Sequence, residues 1–505
     1  MIKQIIILFF LINALNTYGQ NKTSDLTREE RLMEVDIIKS TFVNLHPGTY
    51  RFNSPNDIEN YFKKFKQKIS KDISNERYFI LLSELTAFLK CGHTYLNPYN
   101  QKDETIKNYF SKSFMPFLYV VVDNKFIITH NLSEDKTIKA GDEIVSINGT
   151  KVKTIIHSLL NVSRTDGNNG KGKKIDNLNI APANIITTNY SFFDIYFPLY
   201  FPENFNTRSY GFVIKTFEQK NIKTTLKSLT KKERQDTYLS NFGEIPMNEK
   251  NWEFKFINKE TAYLRLGDFA IWKWKDDYKK YLDSIFTNLQ STSAKNLIVD
   301  IRGNEGGDDD ARTEVLSYLI NKPFGCENPV RRLFKFLSVP DTLLPYLKTW
   351  DKEFKKPKDV NDYIKTTDDY YEKIDASKSD CVVTYPKENV FDGEIFLLIN
   401  SSNSSTTFIM SDIFQQTHTG KLIGETTGGT KKGINGGQFL FLNLPYSKLE
   451  IDIPLIWQAY EKQRPDEGIT PDYEVKSNQK DIYYGIDTQL KFIISKIESK
   501  EKNAQ

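Results

Sequence analysis

Cysteine is scarce in this chain of 505 residues: three occur, and no two form a C-x-x-C pair. Three are too few for a disulfide-built scaffold, and their spacing suggests no zinc site. Histidine is nearly as rare, at five: His46, His93, His130, His157 and His418. Charge of one sign is lacking too. Lys and Arg total 69 against 65 Asp and Glu, a formal +4, too small an excess over this length to imply nucleic-acid binding. Long apolar runs are missing except at the N-terminus, where Ile5–Ile12 follows Lys3. That run is too short to span a membrane comfortably and fits a cleaved secretory signal over residues 1–19. No cysteine lies near Gly19 to carry a lipid. The expected mature protein is exported, periplasmic or secreted, with no stable membrane span. Nothing in the sequence marks its oligomeric state.

What the chain does have is aromatic side chains, 27 Tyr, 35 Phe and 5 Trp, enough for sizeable cores. Its length suggests about three domains. Residues 20–110 read as helical: Leu32, Val35, Ile38 and Phe42 recur at helical spacing, and a third helix through Leu81, Leu85, Phe88 and Leu89 stops before Cys91-Gly92-His93. Gly92 suits a left-handed C-cap there. Residues 111–230 change to short strands. Asp123-Asn124 separates two of them, and Gly141-Asp142 and Asn148-Gly149 flank a third. Asp166–Lys174 is Gly-rich but has no Gly-Lys-Ser/Thr end, so it reads as a flexible surface loop and not a phosphate cradle. Residues 231–495 alternate strand and helix, which predicts an α/β core. A long interruption at 321–392 reads as an insertion or lid. Residues 496–505 form a charged tail.

Two stretches in this core join buried strands to helices. Asp300-Ile301-Arg302-Gly303-Asn304-Glu305-Gly306-Gly307 lets the backbone approach a ligand closely, and its N–H groups can converge on an anion or a developing oxyanion. Asn400-Ser401-Ser402-Asn403-Ser404-Ser405-Thr406-Thr407 brings serines to a helix start, where the dipole favours negative charge, although Ser, Thr and Asn also gather at N-caps for local reasons. Asp308-Asp309-Asp310 reads as a solvated helix start rather than a calcium site.

Taken together, these segments resemble the tail-specific (C-terminal-processing) serine peptidases, in their tricorn-like branch. The matching segments are Gly92-His93-Thr94, Asp300 to Gly307, the nucleophile segment Leu397–Phe414, Gly424-Glu425-Thr426-Thr427-Gly428-Gly429 and Gly468-Ile469-Thr470-Pro471-Asp472. The strand series about Gly141–Val152 resembles the second half of a PDZ domain. The resemblance implies a crotonase/ClpP-like peptidase core with an N-terminal helical domain and a PDZ-like β-rich domain. It implies a serine peptidase that cleaves proteins or peptides through an acyl-enzyme, without metal or cofactor. It assigns the nucleophile to Ser405, with Ser404 and Ser402 as fallbacks, and the general base to His93. The oxyanion donors fall on the amides of Gly306 or Gly307 and of Thr406. The supporting acid falls on Asp466, with Glu467 next. Lys431, 26 residues after Ser405, is near the spacing of the serine–lysine branch and is the alternative base. The chain departs from the family at Cys91, at Phe408 and in the Asn-Glu-Gly-Gly loop. A non-catalytic peptide- or lipophile-binding protein on the same fold is the alternative function. Export also favours a disulfide, and Cys326 and Cys381 bracket the insertion, leaving Cys91 as a free thiol.

Overall fold

The computed structural model describes residues 25–168, 170–186, 190–243, 252–325, 330–374 and 383–504. The expected signal peptide and both Cys326 and Cys381 lie outside the described residues.

Three helices open the chain, Arg28–Leu45, Pro55–Ile69 and Asn75–Phe88. Each starts where its sequence supplies a cap. Thr27 and Glu30 form one capping box, Ser54 and Asp57 another, and Ser74 accepts from the Arg77 N–H. Val35, Ile38, Phe42, Ile69, Leu82 and Leu85 are fully buried in a cluster that these helices share with the β-rich region. The third helix does not end as its sequence suggests. Lys90, with φ +54°, takes the left-handed conformation. Gly92 is needed for a different reason: a Cβ there would lie 2.6 Å from a carboxylate oxygen of Asp166.

A six-stranded antiparallel sheet follows, in the order Phe117–Val122, Lys125–Asn131, Glu143–Ile147, Ser209–Lys215, Asn221–Lys227, with Thr150–Lys151 paired to Glu143–Ile147 as the sixth. Positive φ at Asp123 and Asn124 and at Asn148 and Gly149 makes both turns type I′. The segment expected to be a flexible surface loop is instead packed. It contains the helix Lys171–Asp176, and Asp166 and Lys173 are buried. Lys173 finds its partner Glu305 in the α/β core and Asp166 finds the Gly92 N–H in the N-terminal part, and these partners hold it down.

The core sheet runs Tyr473–Glu474, Lys421–Gly424, Glu394–Ile399, Asn296–Asp300, Thr261–Leu266, all parallel, with Trp252–Asn258 antiparallel at the edge. All five residues of Asn296–Asp300 are buried. Leu297 and Val299 face a cluster with Phe286, Val315, Met410 and Phe414, whereas Ile298 faces Ile493 and Ile497 of the last helix. Both faces are thus covered, as a parallel sheet requires. Among the described residues no helix is long and apolar enough to cross a membrane.

The long interruption is not an irregular lid over its described length. Val330–Phe334 pairs antiparallel with Glu450–Tyr460, and Leu347–Lys348, Tyr363–Lys365 and Tyr371–Lys373 extend the same sheet, which also holds Ile434–Asn443. Its strands are short and separated by Pro- and Lys-rich turns, so the alternation in its sequence is weak. Leu440, Leu442, Ile451 and Ile453 of this second sheet share one buried cluster with the N-terminal helices and the β-rich sheet. The helical part is therefore packed against the sheet that flanks the core.

Candidate active site

Ser405 opens the helix Ser405–Gln416 directly after the buried strand Glu394–Ile399 and its loop. Its φ is +54°, in the left-handed region. A non-glycine residue held there is strained, and such strain gathers at functional sites. Ser404, at the N-cap, gives the helix no side-chain cap, so its first N–H groups remain open for a ligand. The neighbouring hydroxyls are engaged. Ser402 Oγ donates to Asp176, and Ser404 Oγ donates to the Glu305 carbonyl at 3.4 Å. The half-buried Ser405 hydroxyl has no hydrogen-bond partner among the described residues.

The glycine loop lies against this serine. A Cβ on Gly306 would stand 2.9 Å from Ser405 Cβ and 3.0 Å from the Thr406 nitrogen. Gly306 has φ +111° and Gly307 +143°. The Gly306 N–H donates to Asn304 Oδ1 at 2.8 Å, so it is taken. The Gly307 N–H donates to no described group. Thr406 Oγ1 lies 2.9 Å from both the Gly307 carbonyl and Asp309 Oδ1, which ties the glycine loop to the helix start. Two buried asparagines fix the two loops together. Asn304 Nδ2 donates to the Leu266 carbonyl at 3.0 Å, and Asn403 Nδ2 to the Ile301 and Asn304 carbonyls at 2.6 and 3.0 Å. Asp300 and Arg302 are structural: Asp300 accepts from Tyr263 and Arg302, and Arg302 reaches on to Asp487 and Gln489. Asp308 caps the helix Asp309–Ser317, and among the described residues no acidic, His or Cys group could hold a metal ion.

His93 arrives from the N-terminal part. The Gly92 N–H donates to Asp166 Oδ1 at 2.8 Å, and Arg164 Nη1 donates to the Gly92 carbonyl at 2.6 Å. Beyond it, the Asp452 N–H donates to the Tyr95 carbonyl at 3.2 Å. Arg164 also pairs with Glu305 at 2.9 Å, and the buried Lys173 pairs with the same carboxylate and donates to the Ser402 carbonyl at 3.1 Å. A continuous path thus runs from Gly92 through Arg164 and Glu305 to Gly306, which touches Ser405. Glu305 keeps 45% of its side-chain surface exposed. Crowding would raise its pKa, but Lys173 and Arg164 outweigh this and hold it at about 2. Burial lowers the His93 pKa, against the opposing pull of Asp166. Its Nδ1 is buried without a partner, and no hydrogen bond joins it to Ser405. Contacts between catalytic groups of unliganded enzymes are often long and tighten with substrate.

The expected acids stand elsewhere. Asp466 accepts from the Asn168 N–H and side chain at 2.9 Å and from Thr430 Oγ1 at 2.9 Å. Glu467 pairs with Lys431 at 3.0 Å. Neither is hydrogen-bonded to His93, and Lys431 is occupied by its ion pair. The charges around His93 are those of Asp166, Arg164, Glu305 and Lys173. None of these four was singled out as a site residue on sequence alone. The available signal was Glu305, a charge inside a glycine run, and the charges flanking the Gly-rich segment after Arg164.

Residues 260–475 match the model of peptidase family S41. Three solved structures with similar folds are a mutant of CPAF (TM-score 0.61, 12% identity, covering 90% of this chain and 94% of that one), mature CPAF (0.57, 12%, 90% and 94%) and mature CPAF complexed with lactacystin (0.57, 13%, 90% and 95%). At such identities the likeness establishes the fold. No curated protein matches the chain by sequence. With its parallel core, glycine loop and strained serine at a helix start, the segment 260–475 of this chain matches peptidase family S41, and the chain is a serine-type peptidase acting on peptides or proteins.

Proposed function

We propose that Ser405 is the nucleophile and that the reaction proceeds through an acyl-enzyme. Ser405 Oγ attacks the scissile carbonyl while His93 takes its proton. The carbonyl oxygen becomes an oxyanion beside the N–H groups of Thr406 and Gly307. Each such donor is worth about 3 kcal/mol in the transition state. His93 then protonates the leaving amine, and water hydrolyses the ester to restore Ser405. Asp166 and Glu305 supply negative field that favours the imidazolium formed in transit. Asp466 acts at one remove, holding the Asn168 and Thr430 segments in place. The observation that carries the reading is Ser405 itself, at φ +54° on an uncapped helix start, in contact with Gly306. Export to the periplasm or medium belongs to the same proposal and rests on the apolar N-terminal run. A serine-reactive phosphonate should label Ser405 in a peptide map. Ser405→Ala should abolish both labelling and casein turnover, and His93→Ala should lower turnover by orders of magnitude. Lys431→Ala should leave it within a few-fold. Loss of turnover in Lys431→Ala with retention in His93→Ala would reassign the base.

A further inference from the structure

We propose that Trp350, Phe439 and Phe441 form a subsite for a large apolar side chain of the peptide substrate, a reading that rests on His93 being the base. The Phe439 ring lies 5.9 Å from the His93 ring. Trp350 lies 5.8 Å from Phe439, 5.5 Å from Phe441 and 5.7 Å from Phe354. Aromatic faces therefore run without a break from the proton-transfer group out to solvent. Trp350 is 62% exposed although three rings already surround it. Single exposed apolar residues are ordinary. Trp272, 67% exposed, is one, and no described ring packs against it. Trp350 differs because its open face continues a half-buried aromatic shelf.

The backbone keeps that shelf open. Leu347–Lys348 pairs with Ile434–Asn443 only at Phe441 and Leu442. The strand's register with Glu450–Tyr460 shifts between Gly436 and Phe439. Gly436 lies beside His93, a Cβ there falling 3.9 Å from Cε1, and Gly437 is exposed. Thr349 Oγ1 donates to the Phe439 carbonyl at 3.0 Å, which fixes Trp350 over the shelf. An extended peptide advances about 3.3 Å per residue, so the shelf falls within about three residues of the scissile bond. The occupant is one Phe, Tyr, Trp or Leu side chain at a fixed position in that window. Stacking on an indole suits it, and a small or charged residue leaves the ring wet.

Cleavage of a peptide library by the full-length protein should show one such preference. For a matched pair of peptides carrying Phe or Ala at that position, the wild type should favour Phe by at least about tenfold in kcat/KM, mostly through KM. Trp350→Ala should remove that preference while leaving the Ala peptide within about twofold, and Trp350→Phe should keep most of it. Equal slowing of both peptides by Trp350→Ala, or an undiminished preference, overturns the subsite. In the Ser405→Ala background the same pair is compared by binding, without chemistry. If the wild type turns over nothing while binding there still favours Phe through Trp350, the subsite stands and the peptidase mechanism falls. If turnover occurs without any preference that depends on Trp350, the subsite falls and the mechanism stands.

Discussion

Burial lowers the pKa of both His93 and His46, with different consequences. A general base must be neutral before it acts. His93 starts below the ordinary 6.5, so kcat/KM should hold at neutral pH and fall on an acid limb lying below pH 6.5. Asp166 pulls that pKa upward. Asp166→Asn should therefore move the acid limb to lower pH, and a limb that stays in place would remove Asp166 from the role. His46 is fully buried, and its pKa is driven down to about 3 by burial, with Arg51 adding to it. Its Nδ1 accepts from the Gly48 N–H at 2.8 Å, which leaves Nε2–H to donate to Thr94 Oγ1 at 2.6 Å. The native state therefore refuses the proton that the unfolded chain accepts below pH 6.5. Stability is unaffected above that pH and is lost between about 6.5 and 3, by a total on the order of 5 kcal/mol. Urea midpoints at pH 7 and pH 4 check this. His46→Gln should be less stable at pH 7 but lose less on acidification, whereas equal losses would sink the assignment.

At the scale of elements, the glycine loop is where geometry is tightest. Gly306→Ala would place a methyl 2.9 Å from Ser405 Cβ, with backbone of Ser404 and Thr406 at 3.1 and 3.0 Å. The fold should survive, since the clash is local, while turnover falls by about two orders of magnitude, as when an oxyanion donor is displaced. Circular dichroism and casein turnover together separate the two. Glu305→Gln removes the charge that Arg164 and Lys173 share, and should cost activity about tenfold while leaving Ser405 reactive to a small phosphonate. Much of this element was legible in sequence. The Asp300–Gly307 and Leu397–Phe414 segments announce themselves by continuous apolar strands followed by glycine or small polar loops. The β-rich segment was legible in its turns, where Asp-Asn and Asn-Gly demand positive φ. What was not legible was anything depending on contacts distant in sequence. Asp166 and Lys173 look like loop charges until their partners at Gly92 and Glu305 are in place. Gly92 looked like a cap because sequence shows an absent side chain but not the carboxylate that occupies its space. Two short strands of the interruption, Val330–Phe334 and Leu347–Lys348, escaped notice because their partners Glu450–Tyr460 and Ile434–Asn443 lie far onward in the chain.

At the scale of the molecule, the site depends on parts brought together from both ends of the chain. Ser405 is fixed by the core, and His93 by the helical part, 312 residues earlier. The joint between them is the second sheet. Glu34 accepts from the Tyr446 and Ser447 N–H groups at 2.8 and 2.7 Å, and Tyr370 donates to the Pro47 carbonyl at 2.8 Å. Arg51 reaches the same sheet through several contacts. It is 9% exposed, donates to Asn435 Oδ1 at 3.0 Å and to the Gly433 carbonyl at 2.6 Å, and lies over the Trp457 ring at 4.8 Å. Its targets stand one and three residues before Gly436, which touches His93. Arg51→Ala leaves a buried amide oxygen and a buried carbonyl without donors, at about 1–3 kcal/mol each. Arg51→Lys cannot replace a planar fork that serves both acceptors while stacking on an indole. Both variants should therefore unfold at lower urea. Assayed well below their unfolding midpoints, both should also lose turnover while Ser405 stays accessible, because the strand that borders His93 is no longer held. Phosphonate labelling and peptide cleavage slowed together is the expected signature, because both need His93 to take the Ser405 proton. A variant with lowered stability and unchanged cleavage would show that the joint supports the fold without setting the position of His93.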